Sequence, residues 1–396
     1  MLECKKNVSE LLEDKEPHLY DFKRNQILVS ERPKNHKRMI NKIKELRNEF
    51  PYANNEGRPM ENLLKCKYLI EEHGIIFDPD NSDETCDLTG EIYNILWGWS
   101  KEKGGFRIAS YFDEKMLLGG DTMNSVQTTL NLLIAKSHEM GKESDRFKEY
   151  KDIVNPRGKQ QISKRYIFWL FRQCQKDFEK LEDRNVSFSD YCIYTHSIGN
   201  FCLVPAGFNG GRAAKTKDYW DLSLAILKKE GYENGGFEKD QFNKYINTFF
   251  LWDYVDREYN PKSLFSENFY DENYKRQNEN DSHSKYMEKE GGARLPENKE
   301  EVLFFLNNVN WAIKRRGIFM VAMLKIALLD NPDCEQDESW VTSDIYKKIM
   351  YKVFLSDKCY SGYNDVFNKI KNAVPETQEN KEIRAILRKA KYQILN

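Results

Sequence analysis

The chain has 396 residues, of which 40% are hydrophobic and 13% aromatic, and its mean hydropathy is −0.77. That apolar content fills a sizeable core beneath a wet surface and excludes an intrinsically disordered chain. Lys and Arg number 62 against 63 Asp and Glu, a formal net charge of −1, so affinity for a polyanion has to come from a local patch and not from the field of the whole molecule.

From the N-terminus, residues 1–22 are charged from Glu3 onward and lack the apolar stretch of a secretory signal. The eight cysteines, at 4, 66, 86, 174, 192, 202, 334 and 359, form no CxxC pair. Together these features lead us to expect a cytoplasmic protein with reduced thiols. Apolar residues at helical spacing predict helices over 39–50, 60–72, 121–140, 163–181, 217–230, 240–256, 299–329, 343–355 and 380–394. Two short β candidates, 107–111 and 201–204, predict a small hairpin or ribbon. The expected class is mainly α with minor β: a helical globule with a small β element near a central glycine-rich loop.

The apolar run 317–329 carries Lys325 and is shorter than the roughly 20 residues that cross a bilayer. It is expected to be a buried helix, with no membrane partner. Between Asn260 and Asn298 the chain turns polar, which predicts a linker or mobile loop. The expected organisation is a main helical body over 1–262, a linker over 263–298 and a C-terminal helical unit over 299–396.

Several segments carry chemistry only weakly. FDPDNSDETCD, 77–87, has alternating oxygen donors but lacks the glycine of a calcium loop and reads as an acidic turn. The basic stretch 32–47 reads as a solvated face, and the aromatics of NTFFLWDYVD, 247–256, read as core before they read as base-stacking platforms. Lys314, Arg315 and Arg316 interrupt an apolar helix, either as a solvated stripe or aimed at a polar pocket.

The most chemically charged stretch is HSIGNFCLVPAGFNGGRAAKTKDYWDLSLAIL, 196–227. The glycines and Asn209 permit close approach of backbone to a ligand, and Thr216 is placed to cap the helix that follows. With Arg212, Lys215 and Lys217 beside that helix start, the pattern suits a phosphate. A phosphate-binding loop of the Walker type is excluded, because Ala214 stands where its second glycine belongs. The competing reading is a plain connector with solvated lysines. His196 is the histidine beside this loop and is a candidate general base, against an ordinary structural role. Cys192, His196 and Cys202 match no zinc spacing.

Two resemblances enter on these residues. HSIGNFCLVP followed by FNGGR resembles the second half of an HNH-type nuclease motif, with His196, Asn200 and Asn209 matching, Phe201 in place of a leucine and Lys215 near the trailing basic position. The first half of that motif has no counterpart in EDRNVSFSDYCIY just upstream, which holds no histidine. GGDTMNS, then SIGNFCLVP, N-x-x-R and D-x-x-D, resembles a bacterial protein family of unknown function, with Asp121, Ser125, Gly199, Pro205, Asn209, Arg212, Asp218 and Asp221 matching. This second resemblance covers the central third to half of the chain and implies that Asp121 and Ser125 lie near the basic loop. The alternative for Asp121 is a helix cap for 121–140.

The expectation is a bacterial protein, with phage conflict as its setting, that binds a nucleic acid or nucleotide. Its phosphate contacts would be Asn200, Arg212, Lys215, Thr216 and Lys217. If it is catalytic, His196 acts as base, Asn209 holds the phosphate with Arg212, and Asp121 recruits a divalent metal, magnesium or manganese, for phosphodiester cleavage. The alternative is a non-enzymatic component that binds a protein partner and uses the loop only as architecture.

Overall fold

The computed structural model describes residues 7–20, 22, 27–28, 76–77, 87–100, 107–108, 118–124, 190–191, 194, 197–205, 208, 219–230, 239–274, 287–288, 292–293, 299–329, 348–349 and 362–396. Most of them are helical and a small share are strand, the mainly α class with minor β that the sequence predicts. Among the described residues the α-helices are α1 (Val8–Leu12), α2 (Asp87–Trp97), α3 (Trp220–Glu230), α4 (Lys239–Thr248), α5 (Lys299–Leu329), α6 (Tyr363–Ala373) and α7 (Lys381–Leu395). Strands occur as antiparallel pairs: β1 (Ile27–Leu28) with β2 (Ile76–Phe77), β3 (Trp99–Ser100) with β4 (Arg107–Ile108), β5 (Leu118–Thr122) with β6 (Phe201–Pro205), and β7 (Met287–Glu288) with β8 (Gly292–Ala293).

The 31-residue helix α5 is the element around which the rest is arranged. Its buried side chains, Phe305, Val309, Ile313, Phe319, Met323 and Ile326 among them, do not keep to one stripe, as expected of a helix enclosed by neighbours on several sides. The apolar run 317–329 is the second half of this helix, and no helix among the described residues is long and apolar enough to cross a membrane. α7 lies antiparallel to it: Arg315 donates to the Ile394 carbonyl at one end, while Lys389 comes beside Lys325 toward the other.

A single hydrophobic core runs from Val8 and Leu11 through Trp97, Phe201, Trp220 and Phe319 to Ile394. The helix expected to open a separate C-terminal unit therefore shares its core with residues from the expected main body. The segment 260–274, at the front of the expected linker, is fastened down. Lys262 Nζ donates to the Phe269 carbonyl at 2.8 Å, and Asn308 Nδ2 donates to the carbonyls of Leu264 and Ser266, both at 2.9 Å.

α4 ends at Thr248, not at Asp256. Phe250 takes a left-handed conformation, φ 59°, and Leu251 N–H reaches back to the Ile246 carbonyl while Phe250 N–H reaches Asn247. This is a Schellman end with phenylalanine where glycine is usual. Its ring offsets the backbone cost by packing edge-on to Phe319 at 5.0 Å and beside Trp252 at 5.6 Å. Phe249, Phe250, Trp252 and Tyr254 are all at most 1% exposed, so the aromatic cluster is core.

The predicted helices 39–50, 60–72 and 163–181 lie outside the described residues, as does nearly all of 343–355. So do the basic stretch 32–47 and the interior of the acidic stretch 77–87. Of the eight cysteines, Cys202 is described; it is a buried free thiol.

Candidate functional site

β5 and β6 join the two halves of the central motif. Their register pairs Leu118 with Pro205, Gly119 with Val204, Gly120 with Leu203, Asp121 with Cys202 and Thr122 with Phe201. GGDT is thus drawn against FCLVP across some eighty residues of chain; this sets Asp121 beside Cys202 of β6, while Ser125 and the basic loop it was expected to neighbour lie outside the described residues. Asp121 lies in strand β5, so the helix expected over 121–140 does not begin at it, and residues 125–140 lie outside the described residues. Beyond the ribbon the chains stay locked: Met123 N–H donates to the Asn200 carbonyl at 2.7 Å. The Asn200 side chain accepts from the Asn124 backbone N–H at 3.0 Å and from Asn124 Nδ2 at 3.2 Å, and its own amide donates to the Asn124 carbonyl at 2.9 Å. Asn124 Nδ2 also reaches Tyr254 Oη at 3.3 Å.

The 3-10 turn Ile198–Asn200 that delivers the chain into β6 sits directly on α5. A Cβ placed on Gly199 would stand 2.0 Å from the Ile313 carbonyl oxygen, a separation that only glycine allows. Arg316, 1% exposed, then binds the turn from the helix side. Its Nη1 donates to the carbonyls of Gly199 at 2.9 Å and Phe201 at 2.7 Å, and its Nε donates to the Phe249 carbonyl at 2.8 Å. Of Lys314, Arg315 and Arg316, Arg316 is therefore a buried cation and not part of a solvated stripe. Arg315 pairs with buried Asp253 at 3.1 Å and lies over the Trp311 ring at 4.0 Å. Burial pushes the Asp253 carboxyl up, and the Arg315 and Lys262 charges oppose that shift.

Past Pro205 the chain enters the candidate loop. Phe208 is buried, and the loop ends at Tyr219 and Trp220, both fully enclosed. The Tyr219 ring meets Phe265 at 5.3 Å and Phe305 at 5.7 Å. Asp221, in the first turn of α3, is buried and accepts from Leu222 N–H at 2.8 Å and Leu264 N–H at 3.0 Å. Burial pushes its carboxyl up to about 7, with the backbone N–H groups opposing.

The expected site residues fall into three groups. Asn200 is a core residue whose side chain is committed to Asn124, so the phosphate contact expected of it has no place in this arrangement. Asp121 contributes backbone to β5, and its side chain lies outside what is described. His196, Asn209, Arg212, Lys215, Thr216 and Lys217 lie outside the described residues, as do Ser125 and Asp218. Every fully described position of the motif is therefore scaffold: Gly199 for close approach, Asn200 for the link to β5, Pro205 in the buried strand and Asp221 for the tie to Leu264. Sequence reasoning did not single out Asn124, and it read Tyr254 only as one of the core aromatics of 247–256. The only available signal was Asn124 within GGDTMNS, whose partner stands 76 residues away.

The scaffold also sets spacing. β6 has five residues between the turn that follows His196 and the exit into the loop, a rise of about 13 Å. Asp121, opposite Cys202, stands at the His196 end, and the loop cations follow from the other end. Among the described residues no three His, Cys, Asp or Glu side chains converge as metal ligands would. No family model, curated protein or solved structure matches the chain.

Proposed function

We propose that residues 206–218 form a receptor for a phosphate-bearing ligand, a nucleic acid or a nucleotide, mounted between β6 and α3. The supporting observation is that both ends of this segment are rigidly held while its own sequence, AGFNGGRAAKTKD, supplies glycines, Arg212, Lys215 and Lys217. β6 is buried over its whole length, and Tyr219 and Trp220 are enclosed. A loop with fixed ends loses less freedom on binding than a free one, so its amides and cations act at lower entropic cost. α3 begins at Trp220, and its first-turn amides already donate to the Asp221 carboxylate, so on this reading the phosphate is held by the amides, the Thr216 hydroxyl and the cations of the loop itself.

If the site is catalytic, His196 takes a proton from a water that attacks phosphorus, the P–O bond to the leaving sugar oxygen breaks, and solvent protonates that oxygen. Asn209 and Arg212 hold the phosphate oxygens. Asp121, which pairs with Cys202 across the ribbon, would be the carboxylate to hold a divalent metal, which would supply Lewis-acid stabilisation of the phosphate.

A second reading is favoured by one observation: each fully described motif residue is spent on internal contacts. On that reading the motif is architecture and the helical body presents a surface to a protein partner. The test is incubation of purified protein with single- and double-stranded oligonucleotides, with and without magnesium or manganese, for wild type, His196→Ala and Arg212→Glu/Lys215→Glu. Loss of binding in the charge-swapped variant with unchanged folding supports the receptor. Unchanged binding supports the second reading.

A further inference from the structure

We propose that the outward face of α7, with Lys371 of α6 and Lys325 of α5 beside it, is a binding surface for the phosphate backbone of a nucleic acid. The inference is independent of the reading of 206–218 and concerns a different part of the molecule.

α7 carries five cations, Lys381, Arg384, Arg388, Lys389 and Lys391, against one acid, Glu382 in its first turn, in a chain whose formal net charge is −1. The apolar face of α7, made by Ile383, Leu387, Ala390 and Ile394, is buried in the core. The cations are thereby turned outward, and Arg384, Arg388 and Lys391, four and three residues apart, lie along one face with neighbours about 5 to 6 Å apart. Two of the basic residues have structural tasks. Arg384 donates to the carbonyls of Lys371, Val374 and Pro375 at the end of α6, with Glu376 at 3.5 Å as its ion pair, and Lys391 Nζ donates to Asn368 Oδ1 at 3.3 Å. They fix α6 against α7 and so fix the spacing of the rest. Lys371, Arg388 and Lys389 are exposed, and their side chains make no hydrogen bond or ion pair among the described residues.

Lys389 moreover stands close enough to Lys325 to lower the affinity of that half-buried amine for its proton, in addition to the effect of burial. Two ammonium groups held together disfavour each other, and an anion between them relieves the repulsion. Tyr392 lies in the same outward arc and is 71% exposed, which offers a stacking platform for an unpaired base. From Arg384 to Lys391 the helix rises about 10 Å, the length of about three phosphates of one strand.

A basic helix is also what an anionic membrane attracts, but such a helix inserts its apolar face. Here that face is already packed inside the protein, leaving only Tyr392 and Leu395 as large exposed apolar groups on α7. Charge without an insertable face matches a phosphate backbone.

The test uses the full chain and fluorescein-labelled oligonucleotides of about 20 nucleotides, single- and double-stranded, read by anisotropy between about 50 and about 200 mM salt. The triple variant Lys371→Gln/Arg388→Gln/Lys389→Gln is compared with a control that removes three exposed cations elsewhere, Lys15→Gln/Arg257→Gln/Lys348→Gln. The expected result is a loss of about tenfold or more in affinity and a salt slope shallower by about 2 to 3 for the first variant, with little change for the control. Arg388→Lys, which keeps the charge, retains the slope and excludes a packing effect. The proposal is overturned if the triple variant weakens binding no more than the control, if no oligonucleotide binds, or if the chain binds phosphatidylserine vesicles and no oligonucleotide. Arg212→Glu/Lys215→Glu run in parallel reports on the central loop alone, so failure of one surface is distinguishable from failure of the other.

Discussion

Among the described glycines, the closest approach to a neighbouring element gives the sharpest prediction. Gly199 and Gly317 face each other where the turn before β6 crosses α5, yet the two are not equivalent. A Cβ on Gly199 would lie 2.0 Å from the Ile313 oxygen and 2.9 Å from the Gly317 nitrogen, both backbone atoms of α5, whereas a Cβ on Gly317 would meet Gly199 at 3.4 Å, an ordinary contact. Real Cβ atoms essentially never approach closer than 3.0 Å, so Gly199→Ala has to move the turn off the helix by at least 1.0 Å. That displacement breaks the Arg316 bonds to the Gly199 and Phe201 carbonyls. Overpacking alone costs about 1 to 3 kcal/mol and the orphaned carbonyls add to it, so a loss of about 3 kcal/mol or more is expected. Gly317→Ala lies inside a helix, where alanine is favoured over glycine by about 1 kcal/mol, and is expected to be neutral or mildly stabilising. Urea unfolding followed by helical circular dichroism measures both. Equal effects of the two substitutions, or a tolerated Gly199→Ala, would refute the account of how the motif seats on α5.

Arg316→Met leaves the carbonyls of Phe249, Gly199 and Phe201 without their donor and is expected to destabilise by about 3 kcal/mol, with Arg316→Lys failing to rescue because one ammonium cannot span the same acceptors; thermal melts decide it. Asp221 has a folded-state affinity for protons raised from 3.8 to about 7, so its contribution to stability is fully present below pH 3.8 and is lost as pH rises to about 7, an effect of about 2 to 4 kcal/mol. Asp221→Asn is expected to flatten that segment of the stability–pH curve, and an unchanged slope counts against the buried uncompensated carboxylate. If the site is catalytic, His196→Ala abolishes oligonucleotide cleavage while sparing binding, and equal cleavage by wild type and variant removes this histidine from the reaction.

What the sequence discloses depends on whether the signal is local. α5, α7 and β6 were legible because a 31-residue apolar pattern, a one-sided helix and a short apolar run each carry their own periodicity. α2 was not, since its buried residues Leu88, Ile92, Tyr93, Ile95, Leu96 and Trp97 go nearly all round and blur the helical period. β5 was hidden because GGDT has poor strand propensity and forms only by pairing with β6 far along the chain. Phe250 in a left-handed conformation could not be read either: ring packing against Phe319 and Trp252 overrides a backbone preference that local sequence states clearly. The candidate site divides the same way. Its residue types were visible in 196–227, while the burial of Asn200, Asp221 and Arg316 is a property of distant partners.

The most direct measurement is the dissociation constant of a labelled oligonucleotide and of a nucleoside triphosphate for Arg212→Glu/Lys215→Glu, made on the Lys371→Gln/Arg388→Gln/Lys389→Gln background so that only the loop between β6 and α3 is read. The account predicts that the charge swap abolishes the remaining binding of at least one of these ligands with an unchanged melting temperature. Binding that survives the swap undiminished would contradict it.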